Sequence, residues 1–500
     1  MKRKLYLNTV LSLVYQAFTV IIGLIIPRLI LSSYGSDVNG FVQSITQMLS
    51  IISLLDLGVG AVVQASLYRP LAERNEAEVS NIYSSAKNYF AVIAKILLIY
   101  ILCLIFYYCI FKSEDFSWLY SATLIVAISI SLFAQYYFGI CNTLLLNADQ
   151  KIYIPTLVNL GTLILNAVIT VVLLSLHSSI QAVKLAASLI YIIRPLYLNY
   201  YVKQHYHINV TKNPPKNTLK QKWSGLAQHV SNHLTMSADS IILTLFSSFK
   251  MVSVYNVYVM PLNAIRTLME TTSSGYKSFF GNLIAKNENK KLSYEFDCYE
   301  IIIHFIITII FSCVCILLVP FVLIYTQGIY DANYENYMFS YLITLAYAVY
   351  SLRLPYTTII IAAGKFRETQ YYCVVECILN IVLSVLLVKF IGISGVAIGT
   401  CISVGYRTVM SVYYLKNDIL YRRLRTFIKL IIVDGLSVVF ILCISHFFSF
   451  HVQSFMDWVV YAFIISGVSI CVCSLIFGLF YRQAFMKLIN KVISLVKKGE

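Results

Sequence analysis

Charge is scarce in this chain. Asp, Glu, Lys and Arg make up 12% of its 500 residues, about half the share usual in globular proteins. Hydrophobic residues make up 59%, and the mean hydropathy is +0.77. So little polar surface cannot coat a water-soluble body of this size, so lipid must solvate it. A soluble enzyme, a disordered scaffold and a secreted disulfide module are all excluded. A G-x-x-x-x-G-K-[ST] phosphate loop is missing, which removes ATP hydrolysis by that route. No large external loop offers paired carboxylates or a nucleophile beside a base, so an enzyme is not expected. The alternation of a β-barrel is absent too. Cysteines are present (12 of them), but most lie inside apolar runs, as Cys103, Cys313 and Cys471 do. Cys373 and Cys377 share a helix face, yet no second Cys or His pair completes a zinc site. The thiols read as small hydrophobes, and no cofactor is expected beyond a coupling ion, Na⁺ or H⁺.

What the chain does have is about fourteen apolar stretches of helix length. The basic balance, 38 Lys+Arg against 22 Asp+Glu, would suggest nucleic acid in a soluble protein. Here the cations fall between the apolar runs, so membrane lipids and not nucleic acid are their expected partners. Counted on alternate sides, 26 basic residues lie on one side and only Lys112, Lys250 and Lys389 on the other. That asymmetry places both termini of a many-pass membrane protein in the cytoplasm. The expected organisation is an N-terminal lobe of six spans over 1–203 and a cytoplasmic linker over 204–222. A C-terminal lobe of six spans follows over 223–416, then two further spans over 417–481. A basic amphipathic tail over 482–500 ends the chain.

The lobes repeat. Leu71-Ala72-Glu73-Arg74-Asn75-Glu76 after span 2 is matched by Leu283-Ile284-Ala285-Lys286-Asn287-Glu288 after span 8, and Ile164-Leu165-Asn166 by Ile378-Leu379-Asn380. The offsets are 212 and 214. Six spans per repeat give both lobes the same orientation, hence a pseudo-twofold axis along the membrane normal. The fold class is therefore all-α membrane protein: two six-helix lobes around a central cavity, plus two C-terminal helices. Gly392, Gly395 and Gly399 suit a close helix contact in span 12. Pro27, Pro261, Pro320 and Pro355 interrupt spans and are expected to kink or hinge them.

Ionisable residues at bilayer depth cost roughly 2.5–3.5 kcal/mol or more each, so each needs a reason. Arg28, Arg194, Arg266, Arg353 and Arg407 form a cationic set suited to a wet cavity that binds an anion, the alternative being structural ion pairs. Glu270 lies one turn after Arg266 and could pair with it. Glu376 and Asn380 share a face of span 11. With Asp239 of span 7 and Thr400 of span 12 they could cage a hard cation such as Na⁺, hold a proton, or simply bond the helices together.

Pro27-Arg28-Leu29-Ile30, Tyr34-Gly35, Asn39-Gly40-Phe41, Ser53-Leu54-Leu55-Asp56-Leu57-Gly58 and Ala238-Asp239-Ser240-Ile241-Ile242-Leu243 resemble polysaccharide-repeat-unit exporters. These are the Wzx-type flippases of the multidrug/oligosaccharidyl-lipid/polysaccharide superfamily, and the resemblance spans the whole chain. It implies a MATE-like fold and translocation of undecaprenyl-pyrophosphate-linked oligosaccharide for surface polysaccharide synthesis, with polysaccharide polymerase machinery as a partner. A multidrug exporter of the same fold is the alternative. The resemblance also implies a cation-coupling site in the second lobe, which falls on Asp239, Glu376, Asn380, the Val396 carbonyl and Thr400, with the acid and amide of span 11 exchanged. Arg28, Arg266 and Arg353 are the implied contacts of the pyrophosphate.

Overall fold

The computed structural model describes residues 2–56, 59–112, 114–209, 226–448 and 452–482. Helix is the dominant element, and there is no strand among the described residues. Two compact units divide the chain, Met1–His233 and Leu234–Glu500. Much of the expected linker (210–222) and nearly all of the expected amphipathic tail (483–500) lie outside the described residues.

The first unit opens with α1 (Lys2–Ser50), which is two helical passes joined at Gly35. Gly35 has φ 79° and ψ 179°, a backbone conformation that glycine adopts without a Cβ clash. Pro27 lies within the helix and does not end it; the break comes eight residues later. A 3₁₀ turn over Ile51–Leu55 leads to α2 (Val59–Ala72), and α3 (Glu76–Phe111) follows. The fourth pass is α4 (Trp118–Ala134) and α5 (Ile140–Ala148), joined by a π-helical turn over Gln135–Gly139. Helices α6 (Tyr153–Ser175) and α7 (Ile180–His205) complete the unit's passes.

Helix α8 (Leu226–Phe246) supplies the first pass of the second unit, followed by α9 (Phe249–Ala285) and α10 (Asn289–Tyr325). Pro261 and Pro320 sit inside these helices, which continue through them. The tenth pass does break, at Arg353, between α11 (Tyr337–Leu352) and α12 (Leu354–Ala362), with Pro355 in the first turn of α12. Proline is tolerated there because its missing N–H would have no intrahelical acceptor. Then come α13 (Phe366–Ile391), α14 (Ile393–Tyr414) ending in a π turn over Leu415–Ile419, α15 (Leu424–His446) and α16 (Phe455–Phe480).

Eleven described segments are long and apolar enough to cross a membrane, and the chain is a multi-pass membrane protein. One of the eleven, Leu7–Leu55, runs through the Gly35 break. Helices α8 and α9 are not among them; they carry Asp239, Arg266 and Glu270. Hydrocarbon cannot hydrate helix ends, and side chains do so instead. Asn75, Ser117, Ser179, Ser248 and Asn336 each accept a first-turn N–H, and Ser454 with Asp457 forms a capping box.

The same pairs of passes pack in both units. In the first, α2 lies on α3, α3 on α4, α4 on α7, and α6 on α7. In the second, α9 lies on α10, α10 on α11, α11 on α14, and α13 on α14. A Cβ at Gly395 would strike the Leu387 carbonyl, and one at Gly399 the Ser384 hydroxyl. These two glycines let α14 approach α13 as expected. Gly392 does not take part: it has φ +56° in the turn between the helices and nothing near its missing Cβ.

Candidate functional site

Four helices of the second unit bring their polar residues to one point. Asp239 on α8 is buried, and its Oδ2 accepts hydrogen bonds from the Tyr255 hydroxyl of α9 at 3.0 Å and the Thr400 hydroxyl of α14 at 2.8 Å. The Asn380 amide of α13 donates to Asp239 Oδ1 at 3.3 Å and to Thr400 Oγ1 at 3.0 Å. The Val396 carbonyl lies 3.1 Å from Thr400 Oγ1, with the Ser384 hydroxyl 3.4 Å away. Four of the five residues expected at a cation-coupling site are thus in mutual contact. The glycines at 395 and 399 are what allow Asn380 and Thr400, on neighbouring helices, to meet.

The donor set suits a small hard cation. One carboxylate, one hydroxyl, one amide and one main-chain carbonyl supply only oxygen, and a single negative charge balances a monovalent ion. Asn380 is fully buried, yet its Oδ1 has no hydrogen-bond partner. An orphan buried carbonyl oxygen is costly, and turning the amide over would point it at Asp239 and Thr400, where a cation would satisfy all three.

Glu376, the fifth expected residue, belongs elsewhere. One turn before Asn380, its Oε1 holds Arg353 Nη1 at 2.6 Å and its Oε2 holds Arg407 Nη1 at 2.6 Å. All three side chains are buried. Both carboxylate oxygens are engaged by guanidinium groups, so Glu376 is corrected out of the cation cage. The same contacts correct Arg353 and Arg407 from cavity cations to members of a charge-sharing triad, the ion-pair alternative. Arg266 keeps Glu270 at 3.5 Å across one helical turn and also contacts the Met236 sulfur. Tyr350 ties the two groups together. Its hydroxyl donates to Glu270 Oε1 at 2.5 Å, and its ring lies 4.7 Å from the Arg353 guanidinium and 5.8 Å from that of Arg266.

In the first unit, Arg28 is half-buried on α1. Arg194 on α7 meets only neutral groups. Its Nε donates to the Thr162 hydroxyl at 2.5 Å, an Nη reaches the Asn159 carbonyl at 3.4 Å, and the guanidinium stacks 4.2 Å from the Tyr191 ring. No carboxylate reaches it among the described residues. Sequence reasoning missed Tyr255 and Tyr350, because 39 tyrosines in a membrane chain offer no signal that separates a network member from a headgroup-belt residue.

No protein-family model matches the chain, and no curated protein does. Solved structures do. The lipid II flippase MurJ in an inward closed conformation superposes with a TM-score of 0.71, over 96% of this chain and 99% of that one, at 15% identity. This is the fold of the MOP superfamily. An inward-facing multidrug-resistance MATE transporter of that superfamily gives 0.62 at 14% identity, covering 79% of this chain and 93% of its own. A MOP transporter from Pyrococcus furiosus Vc1 (DSM3638), described as having a binding pocket of reversed polarity, gives 0.53 at 13%, over 84% and 95%. At these identities the likeness establishes the fold alone, the all-helical MATE-like architecture expected from the sequence.

Proposed function

We propose that this protein is a Wzx-type flippase. In this reading it carries undecaprenyl-pyrophosphate-linked oligosaccharide from the inner to the outer leaflet of a bacterial cytoplasmic membrane, with both termini in the cytoplasm, by cation-coupled alternating access. One observation carries the reading: the likeness to a lipid II flippase extends over 96% of the chain, whereas the multidrug MATE structures cover 79–87%. The free cargo is a dianion or more on a polyprenyl tail. Moving its headgroup across hydrocarbon without counter-charge would be prohibitive, so the protein must supply guanidinium groups that are not already neutralised. Arg194 meets that condition among the described residues, and Arg28 and Arg266 are proposed alongside it. Arg353 and Arg407 position Glu376 and the helices around it rather than meeting the cargo first.

Asp239, Asn380, Thr400 and the Val396 carbonyl would hold the coupling ion. Bound there, a Na⁺ would cancel the Asp239 charge and favour the conformation in which α8, α13 and α14 are drawn together. Without it, the Asn380 amide bridges the same groups through its N–H bonds. The reading is tested by deleting the gene and following surface glycan and lipid-linked intermediates. Loss of glycan with intermediates confined to the cytoplasmic leaflet is expected. Intact glycan with altered efflux of organic cations would overturn it in favour of the multidrug exporter.

A further inference from the structure

A second buried polar network lies in the second unit, away from Asp239, and the transport reading above makes no use of it. Helix α10 carries Asp297, Glu300, His304 and Thr308 along one stripe. His304, with no exposed surface, places Nδ1 2.6 Å from Asp434 Oδ2 on α15 and Nε2 3.1 Å from the Tyr356 hydroxyl on α12. Thr308 donates to the other Asp434 oxygen at 2.9 Å. Glu300 Oε2 accepts from Arg422 at 2.7 Å, and Arg422 also lies 3.4 Å from Asp297, whose side chain is half-exposed.

Two features of this network are unresolved without an additional proton. The first is charge. The buried carboxylates of Glu300 and Asp434 face one guanidinium, Arg422, so with a neutral imidazole the buried set is short by one positive charge. Cys473 within α16 and Tyr481 just beyond it also face the network and are neutral, and the cations Lys416 and Arg423 line the pocket on its Glu300 side without belonging to the buried set. The second is hydrogen count. Tyr356 has one hydroxyl proton; its oxygen lies 3.1 Å from His304 Nε2, and the Glu300 carboxylate is its other close polar neighbour. Tyr356 cannot donate to both. Glu300 Oε1 is buried with no hydrogen-bond partner, a position where a proton could reside.

We propose that His304, Tyr356 and Glu300 form a proton-binding site, with Asp434 fixing the imidazole. A solvent proton is taken up on Glu300 Oε1. Glu300 passes it to the Tyr356 oxygen as Tyr356 passes its own hydroxyl proton to His304 Nε2, so one proton enters and no other bond changes. The imidazolium then donates through both nitrogens, Tyr356 is released to donate to Glu300, and the buried charge sums to zero. The route to solvent is a pocket lined by Glu300, Tyr356, Lys416, Arg422 and Arg423, at the end of the unit where α14 connects to α15. Because Asp434 is the α15 member, the proton sets how tightly α15 is held to α10 and α12. This does not depend on the cargo.

The test is histidine-selective isotope labelling of the full-length protein in phosphatidylcholine nanodiscs, with NMR titration from pH 5 to 9. The His304 resonance is assigned by its loss in His304→Gln. If that variant does not fold, assignment uses Tyr356→Phe, which retains the ring packing against Phe427 and Phe296 and perturbs only the neighbouring imidazole. The proposal expects His304 to titrate within the range, since imidazole ordinarily does so near neutrality. In Glu300→Gln its proton affinity should fall about tenfold, a midpoint about one unit lower, because a favourable negative charge is lost. In Tyr356→Phe proton exchange at Nε2 should slow. A His304 signal that holds one protonation state throughout would make the cluster purely structural. Titration unchanged in both Glu300→Gln and Tyr356→Phe would remove those two residues from the site.

Discussion

Arg353 and Arg407 of the second unit and Arg194 of the first are held in opposite ways. In the second, Arg353 and Arg407 share Glu376 at 2.6 Å each, so their charge is largely spent inside the protein. In the first, Arg194 is held by a threonine hydroxyl, a backbone carbonyl and a tyrosine ring, which orient a guanidinium without cancelling it. A buried cation balanced by a carboxylate maintains structure. One left with neutral partners retains its pull on an anion from outside. The repeat thus supplies two similar helical frames in which one carboxylate, Glu376, separates a scaffold from a candidate anion contact.

The contrast can be broken most severely at Glu376. Glu376→Gln leaves two buried guanidinium groups facing each other and is expected to destabilise the protein by about 3–5 kcal/mol, read as a large fall in thermal midpoint in detergent. Next is the helix contact that assembles the cation site. Gly399→Ala forces a methyl group against Ser384 and should cost about 1–3 kcal/mol, with weaker ion binding as a second consequence. Asp239→Asn should leave the fold in place and abolish Na⁺-dependent stabilisation. A thermal midpoint in the variant that still rises with Na⁺ but not with K⁺ would remove the site. Arg194→Met is the sharpest contrast with Glu376→Gln. Its stability should fall less than in Glu376→Gln, because no buried charge is left unpaired, while stabilisation by a polyprenyl pyrophosphate disappears. Equal stabilisation of wild type and variant by that lipid would break the distinction between the units. The smallest effect is Tyr255→Phe, about 1 kcal/mol for one hydrogen bond to Asp239, with altered ion affinity.

Much of the polar cluster proposed as a cation site was legible from periodicity. Asn380 and Thr400 follow from one face of span 11 and the small-residue stripe of span 12, and Asp239 stands out as an acid in an apolar run. Glu376 misled because an i, i+4 spacing places two side chains on one face but does not say which neighbouring helices each one reaches. One turn along α13, the surroundings change from α8 and α14 oxygens to the guanidinium groups at the α11–α12 break and on α14. Where the helices end was not legible either: Pro27, Pro261 and Pro320 lie inside helices that keep their remaining hydrogen bonds, since no water competes for them in hydrocarbon, and the first break falls at Gly35.

Composition and hydrophobic length alone determined that this chain crosses a membrane many times as helices, because apolar surface on that scale has no other solvent and helices satisfy their own backbone. The internal offsets likewise carried the six-pass repeat. Which charges cancel and which remain was decided only in three dimensions. Coulomb energy depends on distances of a few ångströms between residues far apart in sequence, as with Arg407 and Glu376 or His304 and Asp434, and those distances are set by how closely the helices pack.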